Sequence, residues 1–158
     1  MSSHIATVEW QRSGAVFIDN RYSRAHQWQF DGGAVVPASS SPHVVKVPFS
    51  EPANVDPEEA FVASLSSCHM LWFLGLAANA GYVVDSYVDQ ARGHMQRAAD
   101  GKSWIALVEL LPQVVFSGAK IPDDAAVASL HHKAHEECFL ARSVKSEIRT
   151  EGNWRYQA

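Results

Sequence analysis

The chain has 158 residues, 47% hydrophobic and 19% charged, with a formal net charge of −4, which favours one ordinary globular domain over residues 1–158. The acidic balance argues against nucleic acid or an anionic membrane as the main partner. The start "MSSHIATVEWQRSG" has no cationic region followed by an apolar run, and only Cys68 and Cys138 are cysteines, so a cytoplasmic chain without signal peptide or disulfide framework is expected.

In chain order, residues 4–12 ("HIATVEWQR") predict a first strand, with Ile5, Thr7, Val8 and Trp10 as strand formers. Tyr22, Arg24, His26, Trp28 and Phe30 then fall on alternate positions and would share one strand face. Asp31-Gly32-Gly33 is a turn signal, and "AVVPASSSPHVVKVPFS" supplies a further strand or two, interrupted by Pro37 and Pro42. An N-terminal antiparallel sheet follows from these segments.

Residues 55–81, "VDPEEAFVASLSSCHMLWFLGLAANAG", predict a long helix. Asp56 is a good N-cap, Pro57 suits the first helical position, Glu59 completes a capping box, and Gly81 stands where a left-handed C-cap falls. The run is apolar on nearly every face, so the helix should be enclosed by the rest of the protein. Glu58, Glu59, the serines, His69 and Asn79 argue against a lipid-facing span. Cys68 sits in its middle.

Beyond the helix, residues 82–118 read as two long strands joined at Asp100-Gly101, with Pro112 marking an edge or bulge. Pro122 and Asp123 start a second helix carrying Ala126, Leu130, Ala134 and Cys138 near one face. Residues 144–157 read as a final strand. The order is that of an α+β domain.

Two separated cysteines allow three readings: unrelated buried thiols, partners in a metal site, or a redox pair. If the two helices pack side by side, the thiols come within disulfide range, Cα atoms about 4.4–6.8 Å apart. An attacking thiolate in apolar surroundings needs a cation, for which Arg24 and Arg12 are candidates, and an arginine there needs a carboxylate such as Glu58. Glu58 and Cys68 lie ten residues apart, about 15 Å along a straight helix. Either Arg24 spans that gap, or the helix is broken, or the carboxylate meets the thiol of a partner subunit. His135, three residues before Cys138, could polarise that thiol. His131 and His135 at i,i+4 could chelate a metal, but no second ligand cluster accompanies them. His69 diverges from Cys68 by roughly 100° on a helix, so a packing or hydrogen-bonded role is expected rather than a Cys–His nucleophile pair. Trp28, Trp72, Phe61 and Phe139 could line an apolar pocket or the core.

"DPEEAFVASLSSCH" resembles the helix signature of the OsmC/Ohr family of thiol peroxidases, and "AHEECFLARSV" resembles its second signature, in which a histidine precedes the second cysteine by three. The resemblance implies an OsmC-like α+β fold, with antiparallel sheets around a long buried central helix, and an intertwined homodimer with its site at the subunit interface. It implies that Cys68 is the peroxidatic cysteine and Cys138 the resolving one, and that Glu58 pairs with a catalytic arginine. Arg24, ahead of Asp31-Gly32, imitates the arginine of the Ohr branch; Arg12 in "QRSG" imitates it too, and Arg24 is the choice. Phe139 stands where proline usually follows the second cysteine, and His69 is atypical, so the chain falls in a divergent branch.

The implied activity is reduction of an organic hydroperoxide to an alcohol through a Cys68 sulfenic acid and a Cys68–Cys138 disulfide, recycled by a small dithiol or lipoyl-type reductant. No cofactor and no metal are expected. The rival reading is a non-catalytic module of the same fold that binds an apolar ligand or senses oxidant.

Overall fold

The structure, a computed structural model, describes residues 2–158. The chain divides into two compact units, the first ending at Ala60 and the second running Phe61–Ala158.

The first unit holds a three-stranded antiparallel sheet in the order β1 (Ala6–Glu9), β2 (His26–Phe30), β3 (Val35–Ala38). Its register pairs Val8 with Trp28 and His26 with Ala38. The expected turn at Asp31-Gly32-Gly33 is present, closed by Phe30 N–H donating to Ala34 O at 3.0 Å. The first strand is shorter than expected: it ends at Glu9, and Trp10 beyond it is engaged by Phe17, Tyr22 and the Ser23 carbonyl instead of the ladder. Tyr22 and Arg24 precede β2 instead of sharing its face. Only one strand forms from the serine- and proline-rich stretch. Pro37 sits in β3, at the edge of the sheet, where its missing N–H costs no ladder bond.

Helix α1 (Pro57–Asn79) begins as the sequence predicts. Glu59 N–H donates to Asp56 Oδ1 at 2.7 Å, and Asp56 N–H donates to Glu59 Oε2 at 3.1 Å, a reciprocal capping box. At the other end Tyr82 N–H reaches Ala77 O at 3.0 Å and Gly81 N–H reaches Ala78 O at 2.9 Å. That Schellman closure needs a left-handed residue, and Gly81 supplies it at φ 78°.

The second unit adds β4 (Val83–Asp89), β5 (Arg92–Arg97), β6 (Ser103–Leu110), β7 (Pro112–Ser117), α2 (Asp124–Glu137), β8 (Glu147–Thr150) and β9 (Asn153–Tyr156). Two three-stranded sheets form, β4-β7-β9 and β5-β6-β8. Each expected long strand is therefore cut in two, and the final strand as well. The cuts, at 90–91, 111 and 151–152, carry the chain from one sheet to the other. Pro112, having no N–H to donate, opens β7 rather than interrupting a ladder. Asp89 ties the step together: its Oδ1 accepts from Leu111 N–H at 2.6 Å, and its Oδ2 accepts from Ser66 Oγ on α1. The sheets are mixed rather than antiparallel throughout, because β8 runs parallel to β6 and β9 parallel to β7.

One stripe of α1 is buried: Leu65, His69, Phe73 and Ala77, at every fourth residue. Leu65 packs with Val108 and Leu110 of β6, while Phe73 and Ala77 pack with Val114 and Phe116 of β7 and with Val127, Leu130 and Ala134 of α2. A single chain does not enclose the helix as its apolar content predicts: Leu71 remains 63% exposed. By length and composition α1 could cross a bilayer, but its buried stripe packs against this chain's own sheets, as a core helix does.

Gly152 lies against Pro112 where the chain changes sheets, and a Cβ there would come within 2.6 Å of the Pro112 carbonyl oxygen. That neighbour is backbone and cannot swing aside. Gly152→Ala should cost about 1–3 kcal/mol, read as a lower urea midpoint at unchanged slope; an unaltered midpoint would show that the crossing tolerates a side chain.

Candidate functional site

Cys68 lies half-buried on α1, and Cys138 is 1% exposed. Cys138 is not inside a helix, as its apolar periodicity predicts, but is the residue that ends α2. Its N–H still donates to Ala134 O at 3.1 Å, while its backbone turns extended at φ −66°, ψ 111°. The turn brings Ala141 N–H to within 3.3 Å of the Cys138 sulfur, to which it donates. Burial pushes the Cys138 thiol up in pKa; a hydrogen bond with Cys68 reinforces this, and the Ala141 N–H opposes it. Cys138 is thus the thiol of the pair whose charged form its surroundings disfavour. Both cysteines are reduced. Two neighbouring free thiols, one more accessible than the other, are suited to dithiol–disulfide chemistry.

Arg24 and Glu58 belong to the first unit and line one cavity of about 380 Å³, together with Trp10, Phe17, Tyr22 and His26. The aromatic side forms a cluster: ring centroids are 5.9 Å apart for Trp10–Phe17, 5.4 Å for Trp10–Tyr22 and 4.7 Å for Phe17–Tyr22. Trp10 is pinned by its indole N–H donating to Ser23 O at 2.8 Å. The Arg24 guanidinium stacks over the Tyr22 ring at 3.7 Å and donates through Nη1 to Asn20 O at 2.8 Å and to Tyr22 O. Among the described residues no ion pair joins Arg24 to Glu58, so the carboxylate partner expected for this arginine is replaced by two carbonyls. Arg12 lies in an exposed turn and is not among the residues lining the cavity.

His26 has its tautomer set by its neighbours. The Trp28 indole can only donate, and it does so to His26 Nε2 at 3.0 Å; Nδ1 therefore carries the proton and donates to Arg24 O at 2.7 Å. This chain of bonds fixes the backbone of Arg24.

His69 is a buried, hydrogen-bonded residue, as expected from its divergence from Cys68, and its partner is His131, 62 residues away on α2. Nε2 of His69 and Nδ1 of His131 are 3.0 Å apart, and the rings stack at 5.3 Å with 13° between planes. Phe73 stacks on His131 at 4.4 Å. His135 makes no bond to Cys138 among the described residues and acts instead as a nearby charge on His69. His131, His132 and His135 line a second cavity of about 490 Å³ with Asp124, Glu151 and Trp154. Among the described residues no group of three His, Cys, Asp or Glu side chains is placed to hold a metal ion. Of the four aromatics proposed as pocket walls, Trp72 and Phe139 meet edge to face at 5.7 Å, Phe61 packs around Leu65, and Trp28 serves His26. Trp10, Phe17 and Asp89 were not legible as site or scaffold residues from pattern alone.

Residues 50–152 match the model of the OsmC-like protein family. An OsmC-like protein of unknown function from Vibrio cholerae is 55% identical, with a TM-score of 0.94 over 97% of this chain and 100% of that one. Two proteins named for organic hydroperoxide resistance share the fold at lower identity. The protein from Elizabethkingia anophelis is 16% identical with a TM-score of 0.66, covering 99% of this chain and 98% of that one. OhrB of Bacillus subtilis is 15% identical with a TM-score of 0.60, covering 98% of each chain. Among curated proteins none matches.

The histidine pair carries a pH signature. His69 is pushed down to about 4, by burial first and then by His131 and His135; burial pushes His131 to about 4 as well. Unfolded, each ring titrates near 6.5, so between pH 6.5 and 4 the unfolded chain binds more protons. Stability contributed by the neutral pair is full above pH 6.5 and is lost as pH falls toward 4. The expected loss between pH 7 and 5 is roughly 2 kcal/mol for His69 and less for the half-buried His131. Denaturant titrations at both pH values check this, and replacing both rings by apolar residues should flatten the dependence. Equal midpoints at pH 7 and 5 would refute a neutral buried pair.

Proposed function

Because the chain belongs to the OsmC-like protein family, we propose that it is a thiol-dependent peroxidase that reduces organic hydroperoxides to alcohols. The observation that carries this reading is a pair of free thiols of unequal exposure, Cys68 half-buried and Cys138 buried, close enough that Cys68 adds to the upward push on the Cys138 pKa. The more accessible sulfur is the one a substrate can meet, so Cys68 is the peroxidatic cysteine and Cys138 the resolving one.

In the first step the Cys68 thiolate attacks the distal oxygen of the hydroperoxide and the O–O bond breaks. The alkoxide takes a proton and leaves as the alcohol, and Cys68 becomes a sulfenic acid. In the second step the Cys138 sulfur attacks Cys68; its thiol proton leaves with the sulfenic hydroxyl as water and the disulfide forms. A small dithiol of the lipoyl type then reduces the disulfide by exchange. The raised Cys138 pKa lowers its thiolate fraction, so the second step requires the thiol proton to pass to the departing hydroxyl as the S–S bond forms.

Arg24 and Glu58 are the proposed substrate-side residues: the arginine stabilises the attacking thiolate and the departing oxygen, and the carboxylate lines the same cavity without pairing with it. The aromatic side of their cavity favours hydroperoxides with an apolar body over hydrogen peroxide, since burial of apolar surface contributes about 25 cal/mol per Å². Helix α1 is unbroken, which leaves Glu58 about 15 Å from Cys68 along its axis. The proposed assembly is accordingly a homodimer in which Arg24 and Glu58 of one chain serve Cys68 of the other, in the cytoplasm. The Arg24 guanidinium, bonded to carbonyls rather than to Glu58, favours the second reading, a module that binds an apolar ligand without turnover.

The deciding experiment is consumption of cumene hydroperoxide with dihydrolipoamide. Wild-type turnover is expected, lost in Cys68→Ser, with over-oxidation of Cys68 in Cys138→Ser. Consumption that survives Cys68→Ser sinks the mechanism; ligand binding without turnover in the wild type supports the module. Arg24→Ala should lower kcat/KM on the order of a hundredfold. Mixing Arg24→Ala chains with Cys68→Ser chains should restore about a quarter of wild-type activity if the site is shared across a twofold interface, and none if each chain serves itself.

A further inference from the structure

Buried among apolar residues of α1, His69 interrupts a stripe that would be completed more cheaply by leucine. The positions before and after it on that stripe are Leu65 and Phe73. A polar ring 1% exposed costs free energy unless its nitrogens are partnered, and the partner it has is directional: His131 Nδ1 at 3.0 Å, in a ring held parallel to its own and stacked on Phe73. Leucine contacts would hold α1 and α2 together but would leave them free to slide or rotate by a fraction of an ångström. An imidazole–imidazole hydrogen bond, kept in plane by a third ring, does not.

The location gives this rigidity a use. On α1 the residue next to His69 is Cys68. Cys138, at the C-cap of α2 seven residues beyond His131, accepts on its sulfur from Ala141 N–H. The helices that present the two sulfurs are thus joined by one directional polar bond beside the thiol contact itself. Asp89, accepting from Ser66 and from Leu111, anchors the other flank of Cys68 to the sheet step.

We propose that His69 and His131 are positioning residues for the Cys68–Cys138 couple, holding α1 against α2 in the spacing at which the two sulfurs close into a disulfide. Neither ring touches the substrate or a sulfur in this role; the pair acts by setting the effective concentration of one thiol at the other. The inference rests on the reading of Cys68 and Cys138 as a working redox couple. The step it governs is the condensation of Cys68 sulfenic acid with the Cys138 thiol, in which an S–S bond forms and water leaves, or the equivalent exchange with an oxidised dithiol.

The test is the equilibrium between the protein's dithiol and disulfide in a buffer of reduced and oxidised dithiothreitol, which involves no hydroperoxide. His69→Leu and His131→Phe should each lower the disulfide-forming equilibrium constant by on the order of tenfold or more, as expected for a misplacement near 1 Å. His69→Gln, which sets an amide where Nε2 lies, and His131→Asn, which sets one at Nδ1, should recover most of it. Recovery by the amides separates a hydrogen bond from mere packing. Folded apolar variants with the wild-type constant would overturn the proposal, as would amide variants indistinguishable from the apolar ones. His131→Phe keeps the stack on Phe73 and provides the reading if His69→Leu does not fold. A wild type that consumes no cumene hydroperoxide yet shows the predicted shifts would remove the peroxidase reading and leave the positioning role standing.

Discussion

Everything in the second unit depends on how one stripe of α1 meets the sheets. Leu65, His69, Phe73 and Ala77 recur at every fourth position, so they lie along a single line of the helix. The first half of that line rests on β6 and the second half on β7 and α2. Burying Leu65 and Phe73 supplies roughly 1.5–3 kcal/mol each, enough to set the helix down but not to fix its rotation, since apolar contact has no direction. Rotation is fixed by polar bonds: Ser66 to Asp89, and His69 to His131. Cys68 falls between these two bonds.

The same logic explains why the second cysteine ends a helix instead of riding inside one. A thiol within α2 would have found its backbone neighbours engaged in the i→i−4 ladder. At the C-cap the chain turns and a backbone N–H, that of Ala141, is free to point at sulfur. Burial raises the cost of charge on Cys138, and the Ala141 bond returns part of it. Burial shields the Cys138 sulfur, and the Ala141 N–H aimed at it keeps one stabilising donor at its side.

How much of this was legible beforehand varies with the kind of signal. Capping chemistry is local, and the Asp56–Glu59 box and the Gly81 closure appear where the residues call for them. Helix periodicity is local too, and α2 starts at Asp123 with its side chain accepting from Ala126 N–H at 2.8 Å. Strand lengths were misread, because no residue pattern announces that a strand will change sheets; the evidence for the step is tertiary, in Asp89 reaching Leu111 and in Gly152 pressed on Pro112. The cysteine pair was legible as one of three readings, and the motifs added a family resemblance that implies it. Partners separated by 62 positions, such as His69 and His131, were not: i,i+4 spacing on α2 drew attention to a metal that would need ligands from elsewhere. Trp10 reads from pattern as a strand residue and Phe17 carries no signal; both lie between β1 and β2, and only their convergence with Tyr22 makes them a wall.

The first unit poses the complementary problem of a cation at an apolar wall. A guanidinium beside Trp10, Phe17 and Tyr22 would be costly if its donors were bare, and neutral carbonyls at Asn20 and Tyr22 satisfy Nη1 without cancelling its charge. The Tyr22 face adds attraction without neutralising it either. A carboxylate in direct contact would have cancelled the field; Glu58 lines the same cavity but forms no ion pair with Arg24 among the described residues. The cavity therefore keeps a positive group and a negative group apart across an aromatic surface. On the proposed reading, a hydroperoxide with an apolar body would lay that body on the aromatic wall and turn its one O–H and two oxygens toward the two separated charges.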